Sequence, residues 1–168
     1  MKHPLPDSAI EIFLQPGEYY WGDQYTRIRT ILGSCVAVVA WHPQKLVGGM
    51  THIMLAEKPE KHKLAQTFDG KYADDAINML LADIHKQSLA VHEFQIKLFG
   101  GGDMFESSGN GGLDKDSVGE KNVNKAKALL KAKGYKIHAE HIRGRGHRSI
   151  IFDVWNGHVW MKHVEKEY

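Results

Sequence analysis

The run Cys35 to Trp41 (CVAVVAW) constrains the fold more than any other stretch, because its seven residues carry no charge and include three valines. Apolar, β-branched side chains suit a pleated, buried surface. The next four residues, His42-Pro43-Gln44-Lys45, read as a turn, and Leu46 to Leu55 then brings Val, Ile and Met around Gly48-Gly49. Together the two runs predict a buried hairpin.

Other elements gather around that pair. Ala9 to Leu14 has strand composition and ends at the turn signal Pro16-Gly17, while Thr26 to Leu32 alternates Ile28, Thr30 and Leu32 against Arg27 and Arg29. Glu57 to Gly70 is charged and turn-rich. After it Tyr72, Ala73, Ala76, Ile77, Leu80, Leu81 and Ile84 recur at helical spacing, with Asp74 and Asp75 at the positive end of the helix dipole. A strand at Phe94 to Phe99 runs into Gly100-Gly101-Gly102. A second helix is expected from Val123 to Lys133, with Asn122 as N-cap, Glu120 just before it or in its first turn, and Gly134 past its end. Tyr135 to His141 and Ser149 to Val154 read as strands, and Asn156-Gly157 is a two-residue hairpin signal leading into His158 to Val164. Strands outnumber helices and hairpins recur, so the expected class is α+β, a mostly antiparallel or mixed sheet with two main helices on one face, rather than a doubly wound parallel fold. A chain of 168 residues fits one domain spanning 1–168.

Composition removes several classes of function. With 42% apolar and 25% charged residues the chain sits near globular averages and should bury a core. Its 22 basic and 20 acidic residues are scattered, leaving no basic stripe to suggest nucleic acid. No stretch approaches the roughly 18 apolar residues of a membrane span, and the first residues lack an apolar leader core, so a cytoplasmic protein without membrane insertion is expected. One cysteine permits no intrachain disulfide and no Cys-rich zinc site, and neither metal nor organic cofactor is expected.

That cysteine is the centre of the chemical reading. A thiol hydrolase needs a nucleophile, a histidine to take and return its proton, and usually a third group to orient the histidine. If the hairpin turns at Pro43-Gln44, Cys35 lies directly opposite His52, on the same face and about 4.5–5.5 Å away at Cβ. An adjacent imidazolium would lower the thiol pKa. Gly33-Ser34 gives a small-residue approach to Cys35, where backbone N–H groups, that of Cys35 first, can turn toward an oxyanion. Thr30, five residues upstream, offers a hydroxyl to the imidazole. Taken alone, a single thiol is also compatible with a small buried hydrophobe.

The run Thr30-Ile31-Leu32-Gly33-Ser34-Cys35-Val36-Ala37-Val38, with Gly48-Gly49-Met50-Thr51-His52-Ile53-Met54-Leu55, resembles the signature of the CheD family of chemoreceptor glutamine deamidases. Leu98 to Phe105 is similar to that family's Phe-Gly-Gly block, and Val118 to Val123 to its Gly-Glu-x-Asn-Val entry to a helix. Asp103 departs from the family's usual asparagine, and His141 to Arg148 is a diverged Gly-Gly…Gly-Arg block. The resemblance implies Cys35 as nucleophile, His52 as general base and acid, and Thr30 as third member. It implies a layered α/β sandwich akin to the catalytic domain of deamidating toxins such as cytotoxic necrotizing factor. It implies methyl-accepting chemotaxis receptors as substrate, and a phosphatase of the CheC type as a further partner in some relatives.

Other features have simpler readings. Gly100-Gly101-Gly102 lacks the Gly-Lys-Ser/Thr of a phosphate loop and suits a tight turn under the site. His138 and His141, three apart on a strand, face opposite ways and cannot share a metal. Arg143, Arg145 and Arg148 form a basic cluster, either a solvated loop or a surface for an acidic receptor helix. Two further functions stay open at this point: an adaptor for receptor or phosphatase, and a cysteine amidase on some other amide chosen by loops 57–70 and 107–117.

Overall fold

The computed structural model describes residues 3–104 and 116–165, so Phe105, the Ser107 to Gly112 tract and most of loop 107–117 lie outside the described residues. In chain order the strands are β1 (Ile10–Phe13), β2 (Tyr19–Gly22), β3 (Thr26–Leu32), β4 (Val36–His42), β5 (Val47–Thr51), β6 (Gln95–Gly100), β7 (Ile137–Ile142), β8 (His147–Asp153) and β9 (His158–Val164). A single turn α1 (Glu60–Lys63) and the helices α2 (Ala73–Lys86) and α3 (Val118–Ala132) complete the main elements.

Two sheets form. One has strand order β1-β3-β8-β9, and the other β2-β5-β4-β6-β7. Strand β4 lies at the middle of the second, and all seven of its residues are buried. Its alternation explains why. Val36, Val38 and Ala40 point toward α2 and α3, into a core shared with Ile77, Leu80, Ile84, Val123 and Leu130. Ala37, Val39 and Trp41 point toward the first sheet, meeting Ile28, Leu32, Ile150 and Phe152. The order is therefore helices, five-stranded sheet, four-stranded sheet. Each fully buried Leu, Ile or Val in these two cores contributes about 1.5–3 kcal/mol. This is the α+β layered sandwich expected, with a second sheet on the face away from the helices. Among the described residues no helix is long and apolar enough to cross a membrane.

Several details differ from expectation. The hairpin closes at His42↔Val47 and holds four loop residues, with Leu46 in left-handed backbone (φ 51°) and its N–H donating to the His42 carbonyl. His42 Nδ1 accepts from the N–H of Gln44 and of Lys45 (3.2 and 3.0 Å), so a side chain stabilises this turn. The longer loop moves the β4–β5 pairing by two, to Val39↔Met50 and Val36↔Ile53. Likewise Asn156-Gly157 ends a four-residue loop between Asp153 and His158 instead of forming a two-residue one.

The second helix begins five residues before the expected Val123. Ser117 caps it, accepting from the Glu120 N–H at 3.2 Å, and Asn122 stands inside the helix, fully buried. Ser117-Val118-Gly119-Glu120 has the spacing of a capping box, but Gly119 disguised the turn as loop. Strand β2 had no clear signal in Tyr19–Gly22. It exists because Tyr19 to Gly22 pair with Gly48 to Thr51 along the open edge of β5.

Candidate active site

Gly33, Ser34 and Cys35 connect β3 in one sheet to β4 in the other, so the thiol sits where the chain crosses between layers. Cys35 is partly buried and packs on the inter-sheet core. The three carbonyls of this crossing are all held: Gly102 N–H donates to Gly33 O (2.9 Å), Asn122 Nδ2 to Ser34 O (3.0 Å), and Gly101 N–H to Cys35 O (2.8 Å). With its three carbonyls engaged, the loop has a fixed peptide orientation. Gly100 and Gly101 adopt positive φ (105° and 69°), and a Cβ at Gly100 would lie 2.2 Å from Cys35 O. Only glycine allows that approach. The glycine run is thus a tight turn against the thiol loop, as expected.

His52 follows β5 and is 2% exposed. Its N–H donates to Glu18 O (3.1 Å) and its carbonyl accepts from Gly17 N–H (2.9 Å), which fixes its backbone. Direct opposition of Cys35 and His52 is corrected by the register. Val36 and Ile53 are the paired residues, exchanging hydrogen bonds of 3.0 and 2.8 Å, so Ala37 stands opposite His52. Because the shift is even, the alternation survives. Val36 and Ile53 face the helices, while Cys35 and His52 face the other sheet as diagonal neighbours, a relation that leaves side chains within reach across about 7–8 Å.

Across the gap, Thr30 of β3 is 1% exposed, and its Oγ1 lies 2.7 Å from His52 Nδ1. The same hydroxyl donates to the Leu14 carbonyl (2.9 Å). A carbonyl can only accept, and a threonine has one proton to give. That proton goes to Leu14, so His52 Nδ1 carries the hydrogen of its bond to Thr30. The lone pair is then on Nε2. The arrangement sets the tautomer a general base needs.

Charge, however, is not what an adjacent imidazolium would require. Burial pushes the Cys35 thiol up from its ordinary value. Burial also lowers the His52 imidazole to about 4, against a smaller opposing pull from the Glu18 carboxylate. At neutral pH the pair is thiol and neutral imidazole, so any attack by this thiol would need its proton to move in the same step.

The remaining residues sort by contact. Asn122, read as a cap, reaches the crossing loop instead. The expected Arg cluster is split. Arg148 is 1% exposed, pointing inward with Nε donating to His141 Nδ1 (2.8 Å), and Arg143 pairs with Glu120 (2.8 Å) and Asn124 (2.9 Å). His138 Nδ1 accepts from the Ile96 N–H, and His141, next to Arg148 and His163, is lowered by burial first and by the Arg148 guanidinium second. Among the described residues no group of three or more His, Cys, Asp or Glu could hold a metal. Leu14 and Asn122 are the contributors that sequence reasoning missed. Leu14 acts through its backbone and has no side-chain signal.

A family model described as CheD chemotactic sensory transduction matches residues 54–163. The chain belongs to the CheD family. Relatives carrying the name "Probable chemoreceptor glutamine deamidase CheD" include one from Pseudomonas syringae pv. tomato, 43% identical over 158 residues covering 94% of this chain and 92% of that protein. Another, from Pseudomonas fluorescens, is 42% identical over 165 residues (97% and 89%). A relative from Leptospira interrogans, named "Probable chemoreceptor glutamine deamidase CheD 1", is 39% identical over 163 residues (95% and 96%). The family model begins after His52, whereas matches of such length take in the stretch from Thr30 to His52.

Proposed function

We propose that this chain, acting as one unit in the cytoplasm, is a cysteine-dependent deamidase that converts glutamine side chains of methyl-accepting chemoreceptors to glutamate. The observation that carries the chemistry is the line Leu14 C=O, Thr30 Oγ1, His52 Nδ1, which leaves the free lone pair on Nε2, on the face that Cys35 shares. Membership in the CheD family supports the choice of substrate.

In the proposed reaction His52 Nε2 takes the Cys35 proton as Sγ attacks the side-chain amide carbon. Charge develops on the former carbonyl oxygen, where the N–H of Cys35, in a loop braced by Gly101, Gly102 and Asn122, stabilises it. The imidazolium passes its proton to the departing nitrogen and ammonia leaves a thioester. Water, deprotonated by His52, then adds to the thioester and releases glutamate and the thiol. Thr30 accepts from Nδ1–H throughout and holds the ring. The product carries a charge where the substrate was neutral, which alters packing between receptor helices.

Incubating a receptor cytoplasmic domain with the protein and measuring glutamine-to-glutamate conversion by mass spectrometry tests the reading. Conversion by wild type and none by Cys35→Ala is expected. Equal conversion by Cys35→Ala refutes a thiol mechanism. An adaptor serving a CheC-type phosphatase would bind both partners while leaving every glutamine intact.

A further inference from the structure

Strands β4 and β5 part just beyond the Val36↔Ile53 bridge. On one side the chain turns through Cys35 and Ser34 toward β3. On the other, Met54 and Leu55 turn away, both donating N–H to the Lys71 carbonyl (2.9 and 3.0 Å). A regular ladder would continue with peptide hydrogen bonds. Here it ends, leaving the carbonyls of Ser34 and Met54 facing a third element.

Asn122 fills that opening. Its side chain is 0% exposed, and its Nδ2 donates to Ser34 O at 3.0 Å and to Met54 O at 2.9 Å. Both partners are carbonyls, so the amide orientation is unambiguous. One side-chain NH2 therefore replaces the missing rung between the segment leading into Cys35 and the segment leading out of His52. The helix that delivers it is brought in by small residues. A Cβ at Gly119 would lie 2.5 Å from Gly101 O, and Gly101 N–H in turn holds Cys35 O. The other amide atom, Oδ1, is buried with no hydrogen-bond partner among the described residues. A cap or a surface loop does not explain a fully buried amide that leaves one atom unpaired, a state with a desolvation cost.

We infer that Asn122 is a positioning residue of the deamidase site, an amide clamp from α3 that fixes the separation of the Cys35 and His52 segments. This rests on the proposed deamidase reading. The Asn122 amide hydrogen-bonds to the Ser34 and Met54 carbonyls and acts through them. Displacing a reacting group by about 1 Å costs on the order of 10²-fold in rate. Substrate binding, which involves other surfaces, should be spared.

The test compares wild type, Asn122→Ala and Leu129→Ala, the last a half-buried apolar truncation on the same helix, away from the loop. For Asn122→Ala, kcat on the receptor domain should fall roughly a hundredfold with KM unchanged. Native-state amide exchange, measured without substrate, should lose protection at Val36 and Ile53, whose N–H groups pair across the bridge beside the clamp. Leu129→Ala should lower Tm while keeping kcat and that protection. Asn122→Ser, which keeps one donor, should fall between wild type and alanine in kcat, and it substitutes for the alanine variant if that does not fold. Unchanged kcat in Asn122→Ala, or a loss matched by Leu129→Ala at equal loss of Tm, overturns the clamp. Retained protection at Val36 and Ile53 overturns it independently of any chemistry. Wild type that leaves all glutamines intact defeats the deamidase reading alone.

Discussion

The buried, neutral His52 makes a quantitative prediction about acid stability. Its folded-state value of about 4 lies below the ordinary 6.5, so between these values the unfolded chain binds the extra proton. Stability from this residue is then fully present above pH 6.5 and is lost as the pH falls toward 4. For a single site with these values the loss is about 1.4 kcal/mol at pH 5.5, about 2.5 kcal/mol at pH 4.5, and at most about 3.4 kcal/mol at lower pH. Model carboxyl and imidazole groups have pKa values of about 4 to 6.5, so the measurement is a difference. Urea unfolding of wild type and His52→Gln at pH 7.5, 5.5 and 4.5 should show wild type losing stability relative to the variant by these amounts. A constant difference over that range would refute the assignment of a neutral imidazole. The same state predicts no thiolate absorbance from Cys35 at pH 7, judged against Cys35→Ser, and an acid limb of kcat/KM near pH 4. A limb at pH 6 to 7 would show that the imidazole keeps its solution basicity.

Thr30→Val removes the acceptor for His52 Nδ1–H and the donor to Leu14 O while keeping the side-chain shape. Stability should drop by about 1–3 kcal/mol through the unpaired buried groups, and kcat should fall with KM unchanged. Loss of the Nδ1–H tautomer by 15N NMR of the ring would accompany it, and an unaltered tautomer would remove Thr30 from its orienting role. Gly119→Ala raises intrinsic helix propensity by about 1 kcal/mol, yet its methyl would lie 2.5 Å from Gly101 O and force α3 away from the glycine turn. Thermal unfolding should therefore show net destabilisation. A rise in Tm would mean that the contact yields easily.

Much of this was legible in the sequence where side-chain chemistry and local pattern agree. The apolar run of β4, the periodic face of α2 and the thiol loop after Leu32 all appear where the pattern places them. What failed depended on interactions with distant chain. The hairpin register was set by His42 turning its ring onto Gln44 and Lys45, so Cys35 and His52 became diagonal instead of opposed. Parity rescued the shared face, because a shift of two preserves alternation and a shift of one would not. Asn122 has the sequence signature of a cap because capping and clamping use the same short amide, and only the tertiary position of Ser34 and Met54 distinguishes them. Leu14 was invisible because a backbone carbonyl has no letter of its own. The thiol and imidazole charges, set by burial, could not be read from neighbours in sequence.

Thr30 belongs to the four-stranded sheet, while the Cys35 and His52 segments border the five-stranded one. The hydrogen bond between Thr30 and His52 thus measures the gap between layers. Among the described residues no hairpin or single sheet contains all three groups, and a chain emerging during synthesis has no Thr30 hydroxyl to orient His52 until both sheets have docked. Assembly of the sandwich and fixing of the His52 ring are one event.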